Sequence, residues 1–262
     1  MQSNFDYSIL EFIPKSLNIL KKIPKKLYYT GNKKLLEMPI KVAIVGTRSP
    51  TPYAKNFTFA LSKKISALGG IVVSGGALGI DIVAQSAAFP DTIMVSPASL
   101  DIIYPSTNAR IISQIAKNGL ILSEYEKNYI PKKYSFIERN RIVIALSDWV
   151  VIPQADMNSG SMQSAQIAEF CKKPIFVLPQ RIDESSGTNF LLQNSLARAI
   201  YDIDIFLEMI FGKQEKTNDE ILNFCEKIPT FEEAYSKYGD KILEYELEGK
   251  IKRQDGYLKV IL

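Results

Sequence analysis

Glycine-rich turns, cations beside them and aromatic rings set among lysines are the residues of this chain that could do chemistry. Together they suit holding an anion better than breaking a bond. The densest group is Ser74-Gly75-Gly76-Ala77-Leu78-Gly79-Ile80-Asp81, placed after the apolar run Ile71-Val-Val73 and before a helical segment. Glycines let consecutive backbone N–H groups converge, and a following helix adds the positive end of its dipole, so the turn suits a phosphate. A tight strand-to-helix turn packed against a sheet calls for the same glycines. The dinucleotide fingerprint does not fit, because it needs G-x-G-x-x-G with an acid about 20 positions later, whereas Asp81 follows at once.

A second turn, Gly46-Thr47-Arg48-Ser49-Pro50, follows Val42-Ala-Ile-Val45 and carries an arginine at its mouth. Beside a nest of N–H groups, a guanidinium supplies bidentate phosphate recognition; by itself it is a solvated surface charge. The third feature is Glu124 to Arg141, where Lys127, Lys132, Lys133, Arg139 and Arg141 alternate with Tyr125, Tyr129, Tyr134 and Phe136. Cations follow a phosphodiester backbone and rings stack unpaired bases, although Glu124, Glu126 and Glu138 dilute the charge. In a fourth turn, Gly160 and Ser161 open another helix. They offer further N–H groups, or Ser159 and Ser161 simply cap the helix.

Other chemistries are excluded by composition. The 262 residues contain no histidine, which removes His-based metal sites, catalytic triads and His general bases. Two thiols, Cys171 and Cys225, cannot close a zinc site and fit a reducing compartment. No metal, cofactor or catalytic residue is expected. The first residues lack the basic and apolar regions of a leader, and no apolar run reaches the roughly 20 residues of a membrane span, so a cytoplasmic protein with no membrane partner is expected.

Short apolar strands alternating with amphipathic helices must position these turns. From Lys41 the strands are Val42–Val45, Ile71–Val73, Thr92–Val95, Leu120–Leu122, Val143–Ile152 and Ile175–Leu178. Helices lie near Ala54–Leu68, Ile80–Ala88, Ala109–Asn118 and Ser161–Cys171. This order predicts an α/β, doubly wound, mostly parallel sheet, with ligands outside the carboxyl ends of its strands. Arg48 and the Ser74–Gly79 turn are then neighbours, and the Glu124–Arg141 segment lies on the same edge. Residues 1–212 form this domain, with 1–38 as an N-terminal extension. Residues 218–262 form a second: a helix over Asp219–Ile228, a capping box of Thr230 with Glu233, a helix capped by Asp240, and a hairpin at Asp255-Gly256, in the pattern of a winged helix.

Charge is uneven along the chain. Residues 1–50 hold nine Lys/Arg and three Asp/Glu, residues 51–212 fourteen of each, and residues 213–262 nine against eleven. The third helix of the tail carries Glu244, Glu246 and Glu248 against Lys241, which disfavours duplex reading through it and favours a protein-contact or intramolecular role.

Taken in order, these motifs resemble the DNA-processing protein A family (DprA, also called Smf): Lys25-Lys-Leu-Tyr-Tyr-Thr-Gly31, Val42-Ala-Ile-Val-Gly-Thr-Arg48, Ser74 to Asp81, Tyr104-Pro105, Leu122-Ser-Glu-Tyr125, Phe136 to Ser147, Gly160-Ser161 and Gly187-Thr-Asn189. The resemblance implies an extended Rossmann-like fold that forms a homodimer, binds single-stranded DNA in natural transformation and helps load a RecA-type recombinase. It makes Arg48 and Lys133 the phosphate-pocket cations and Phe136 a base-stacking ring. Ser74, Gly75, Gly76 and Gly79 supply backbone contacts, and Arg139, Asn140 and Arg141 shape or line the pocket. The rival class is a nucleotide phosphoribohydrolase, whose P-G-G-x-G-T-x-x-E motif ends on a catalytic glutamate where this chain has Ser164.

Overall fold

The computed structural model describes residues 1–212 and 219–261. Its contacts divide the chain into two compact units, Met1–Phe206 and Leu207–Leu262. The boundary expected at residues 212–218 falls mostly outside the described residues.

The first unit is built on nine strands. In chain order they are β1 (Ser8–Ile9), β2 (Tyr28–Gly31), β3 (Lys41–Ile44), β4 (Ile71–Ser74), β5 (Thr92–Val95), β6 (Leu120–Ser123), β7 (Trp149–Ile152), β8 (Ile175–Val177) and β9 (Arg198–Ala199). Across the sheet the order is β1-β2-β6-β5-β4-β3-β7-β8-β9. From β6 to β9 every neighbouring pair is parallel, while β2 runs antiparallel to both β6 and β1. The central strands β4, β5 and β6 are buried along their whole length, as expected of a parallel sheet covered by helices. The helices of this part of the chain are α1 (Pro52–Ala67), α2 (Ile80–Ala88), α3 (Ala109–Asn118), α4 (Ser135–Leu146), α5 (Gly160–Phe170), α6 (Ser186–Gln193) and α7 (Ile203–Phe211).

The connections decide where a ligand can sit. Chain order β3, β4, β5, β6 steps outward along one side of the sheet; α4 then carries the chain back to β7, on the other side of β3. The turns after β3 and β7 diverge and leave a crevice at their carboxyl ends, and α4, packed on β3, β4 and β5, covers it. This return crossover brings Phe136 from β6 to Arg48 at β3.

Two sequence expectations need correction here. Val143–Ile152 is not one strand: residues 143–146 finish α4, and β7 begins only at Trp149. Val143 to Leu146 is uniformly apolar, so periodicity could not separate a buried helix end from a strand. The first 38 residues are also more than an extension. They add β1 and β2 to the sheet and insert Leu10, Leu17, Leu20 and Leu27 into the main core.

The second unit holds α8 (Glu220–Cys225), α9 (Phe231–Tyr238), α10 (Lys241–Leu247) and a hairpin of β10 (Ile251–Gln254) and β11 (Tyr257–Val260) around a small core that includes Ile221, Ala234, Ile242 and Leu258. Asp255 and Gly256 both have positive φ, 52° and 82°, the signature of a two-residue hairpin turn. The Thr230–Glu233 capping box forms with both of its bonds. Thr230→Ala should therefore cost about 1 kcal/mol, measurable by thermal unfolding as an earlier loss of this unit. Asp240 heads α10 without capping it; its carboxylate accepts from the Tyr235 hydroxyl at 2.7 Å instead. Of the cations Lys250, Lys252 and Arg253 at the start of the hairpin, two are matched by acids, Lys250 by Glu248 at 2.7 Å and Arg253 by Glu246 at 3.0 Å.

Candidate nucleic-acid interface

The crevice at the switch point is a cleft of about 240 Å³ lined by residues from four chain segments. These are Val45 to Arg48 after β3, Ala77 and Asp81 after β4, Phe136 to Asn140 on α4 except Glu138, and Ser159 to Ser161 at the head of α5. Arg48 is exposed at its lip and makes no ion pair among the described residues. Its guanidinium carbon sits 5.1 Å from the Phe136 ring centroid, a cation–π distance. The Phe136 ring in turn meets Tyr104 at 5.5 Å and 59°. The lip thus offers one unmatched positive charge and two aromatic faces side by side.

Beneath the lip lies a buried ion pair. Arg139, on α4, is 2% exposed, and its Nη1 stands 3.6 Å from Asp81 Oδ2. Burial raises the Asp81 carboxyl above its ordinary value, opposed by the Arg139 guanidinium and by the N–H groups of Ala77, Gly75 and Gly46. Burial likewise lowers Arg139, Asp81 opposes this, and the charge of Arg48 lowers it further, so the two arginines feel one another. Nε and Nη1 of Arg139 have no hydrogen-bond partner among the described residues.

This pair explains the glycine-rich turn differently from an external nest. The Gly75 N–H donates to Asp81 Oδ2 at 3.2 Å, so it is spent inside the protein. A Cβ on Gly75 would lie 1.0 Å from Arg139 Nη1, and one on Gly79, at φ 81°, would lie 2.3 Å from the Thr47 carbonyl oxygen. Here the glycines let Arg139 and the Gly46–Arg48 turn approach the backbone closely. Ser74 is fully buried and donates to the Ile44 carbonyl at 2.6 Å, tying β4 to β3. Gly76 packs beside Met94, and its carbonyl accepts from Asn108 at 3.0 Å. Ser74, Gly75, Gly76 and Gly79 therefore support the cleft from behind, and Ala77 is the part of their turn that lines it.

The fourth turn does contribute to the cleft lining. Ser159 caps α5 by accepting from Met162, which leaves the first-turn N–H groups of Gly160 and Ser161 in the cleft lining at the positive end of the helix. Asn140 is held there by a 2.9 Å bond to Ser164, a buried hydroxyl that also donates to the Gly160 carbonyl.

The remaining expected residues divide. Arg141 pairs with Glu124 at 2.5 Å, both largely shielded, and lies outside the cleft lining. Lys133 is exposed just before α4, also outside it. Tyr125 and Tyr129 stack on each other at 4.0 Å and 3°, so their facing surfaces are already occupied. All three acids that seemed to weaken the segment have a cation: Glu124 has Arg141, Glu126 has Lys26 at 3.3 Å, and Glu138 has Lys22 at 3.2 Å. Sequence reasoning missed Tyr104, although Tyr104-Pro105 stood among the motifs, and missed the structural task of Asp81.

Fold and site together define a doubly wound α/β protein with a cationic and aromatic cleft at its switch point. The chain belongs to the DNA recombination-mediator protein A family, whose model matches residues 9–211. It is 35% identical over 191 residues to DNA processing protein DprA of Bacillus subtilis, covering 71% of this chain and 64% of that one. It is 34% identical over 213 residues to the DprA of Streptococcus pneumoniae, covering 78% and 74%. Among solved structures, one on the single-stranded DNA binding mode of DNA processing protein A from Helicobacter pylori matches with 58% identity and a TM-score of 0.79, covering 80% of this chain and 97% of that one. The match to the Bacillus protein spans just under two thirds of its length, and that to Smf of Synechocystis 45%.

Proposed function

We propose that this chain binds single-stranded DNA in the switch-point cleft and acts as a mediator of recombination rather than as a hydrolase. The observation that carries the reading is Arg48, an exposed and unmatched guanidinium lying against Phe136, beside the N–H groups that head α5. Phosphate meets the cation and N–H groups, and an unpaired base stacks on the ring. The solved relative from Helicobacter pylori, described by its single-stranded DNA binding, supports the same ligand. The hydrolase reading needs a carboxylate at Ser164, whose buried hydroxyl is committed to Asn140 and Gly160.

In this reading Arg48 and the exposed Lys133 contact phosphates, Gly160 and Ser161 donate backbone N–H groups, and Asn140 orders the α5 end of the cleft. Arg139 and Arg141 hold α4 in place from beneath. Protection of incoming strands, loading of a RecA-type recombinase and assembly as a homodimer complete the proposal, and the tail serves as a winged-helix-like protein-contact module.

Phe136→Ala tests the stacking step. Oligothymidylate binding followed by fluorescence anisotropy should weaken by about 1–3 kcal/mol while the dependence on salt keeps its slope, because a ring releases no counterions. An unchanged affinity would remove base stacking from the mechanism.

A further inference from the structure

The basic front of the chain takes no part in the cleft lining. Between Glu11 and Glu37 the sequence carries seven lysines and no acid. Lys15, Lys21, Lys22, Lys25 and Lys26 are all exposed. The 3-10 turn Lys15–Ile19 packs on α4, the helix that covers the cleft. Lys22 reaches Glu138, two residues beyond Phe136, and Lys26 reaches Glu126. Lys21 lies 4.8 Å over the ring of Phe170 at the other end of α5, whose eleven residues span about 16 Å. A band of ammonium groups therefore extends from beside the cleft, along α4, to the far end of α5. Lys22 and Lys26 are used to match acids, but Lys15, Lys21 and Lys25 have no carboxylate partner among the described residues.

We propose that this band is a second track for single-stranded nucleic acid, holding the phosphates of nucleotides that lie beyond the cleft. The proposal rests on reading the cleft as a single-strand site. A strand gripped at Arg48 must leave the cleft, and next to α4 it meets unmatched point charges, which attract phosphate without regard to sequence. Exposed apolar side chains among the lysines, Phe12, Ile19, Ile23 and Phe170, give unpaired bases a surface to lie against. The matched pairs at Glu126 and Glu138 remove the two carboxylates that would repel the strand where track and cleft meet.

The test compares the full chain with the K15Q/K21Q/K25Q variant on oligothymidylates of about 6 and about 30 nucleotides, since one site spans roughly 4–16. The long oligomer should bind the variant about tenfold more weakly, with a salt slope shallower by about 2, from roughly 0.7 per phosphate contact; the short one should bind within about twofold of wild type. Unchanged binding and slope on the long oligomer overturn the track. Equal weakening on both lengths also overturns it, because the lysines would then serve the cleft or the fold. Arg48→Ala separates the two readings, since it should weaken the short oligomer; if it does not, the cleft assignment fails whatever the lysines do. Loss of binding to phosphatidylglycerol vesicles in the lysine variant, with the long oligomer unaffected, would make the band a membrane surface and refute the proposal.

Discussion

Arg48→Ala is expected to weaken oligothymidylate binding by about 10- to 100-fold. A hydrogen bond to a charged group contributes about 1.5–3 kcal/mol, and about 1.4 kcal/mol is a factor of ten. That range applies because Arg48 has no competing ion pair among the described residues, so its charge is already available to a ligand. The salt slope should fall as well, by about 0.7 for one lost phosphate contact. Thermal stability should barely move, since the side chain is exposed and supports no core. Anisotropy titrations at several salt concentrations, alongside a melting curve, check all three. Wild-type affinity and slope in the variant would show that the strand is held elsewhere.

Gly75→Ala should act in the opposite way, through the fold. The added methyl would fall 1.0 Å from Arg139 Nη1, inside the volume of a buried guanidinium, so either the turn or the arginine must move. Overpacking costs about 1–3 kcal/mol, and separating a buried ion pair costs about 3–5 kcal/mol. Arg139 cannot retreat without leaving Asp81, so a loss of about 3–5 kcal/mol is expected, measured by denaturant unfolding. The variant should also bind DNA poorly wherever it remains folded, because Gly75, Asp81 and Arg139 fix the turn that carries Ala77 into the cleft. A variant with normal stability and normal binding would mean that the Asp81–Arg139 pair is not what sets this turn.

These two residues mark how far the sequence could be read. Arg48 was legible because it follows a β-branched run and neighbours another strand-to-helix turn, and parallel pairing of β3 with β4 places such turns together. Arg139 was legible as a cation but not as a buried one. Buried arginines are rare, and the partner that permits burial, Asp81, comes from a segment 58 positions away and was taken for part of an anion turn. Phe136 was singled out only by the family resemblance, since spacing among the lysines treats Tyr125, Tyr129, Tyr134 and Phe136 alike, and the self-stacking of Tyr125 and Tyr129 depends on a loop conformation that no period encodes. Of the elements, α2, β5 and α3 match their expected limits, because each is bounded by glycine, proline or polar residues: Gly79 and Pro90, Asp91 and Ser96, Asn108 and Gly119. The edge strands β1 and β9, and β2 beside β1, were missed. They are two to four residues long, and their hydrogen bonds are set by neighbours distant in sequence.

The cleft draws its lining from segments near residues 46, 77, 136 and 160. No contiguous peptide of the chain contains it, and every member is held by strands on both sides of the switch point. Formation of the cleft therefore depends on the integrity of the whole first unit. A chain cut within this unit, or one still incompletely folded, does not assemble this lining.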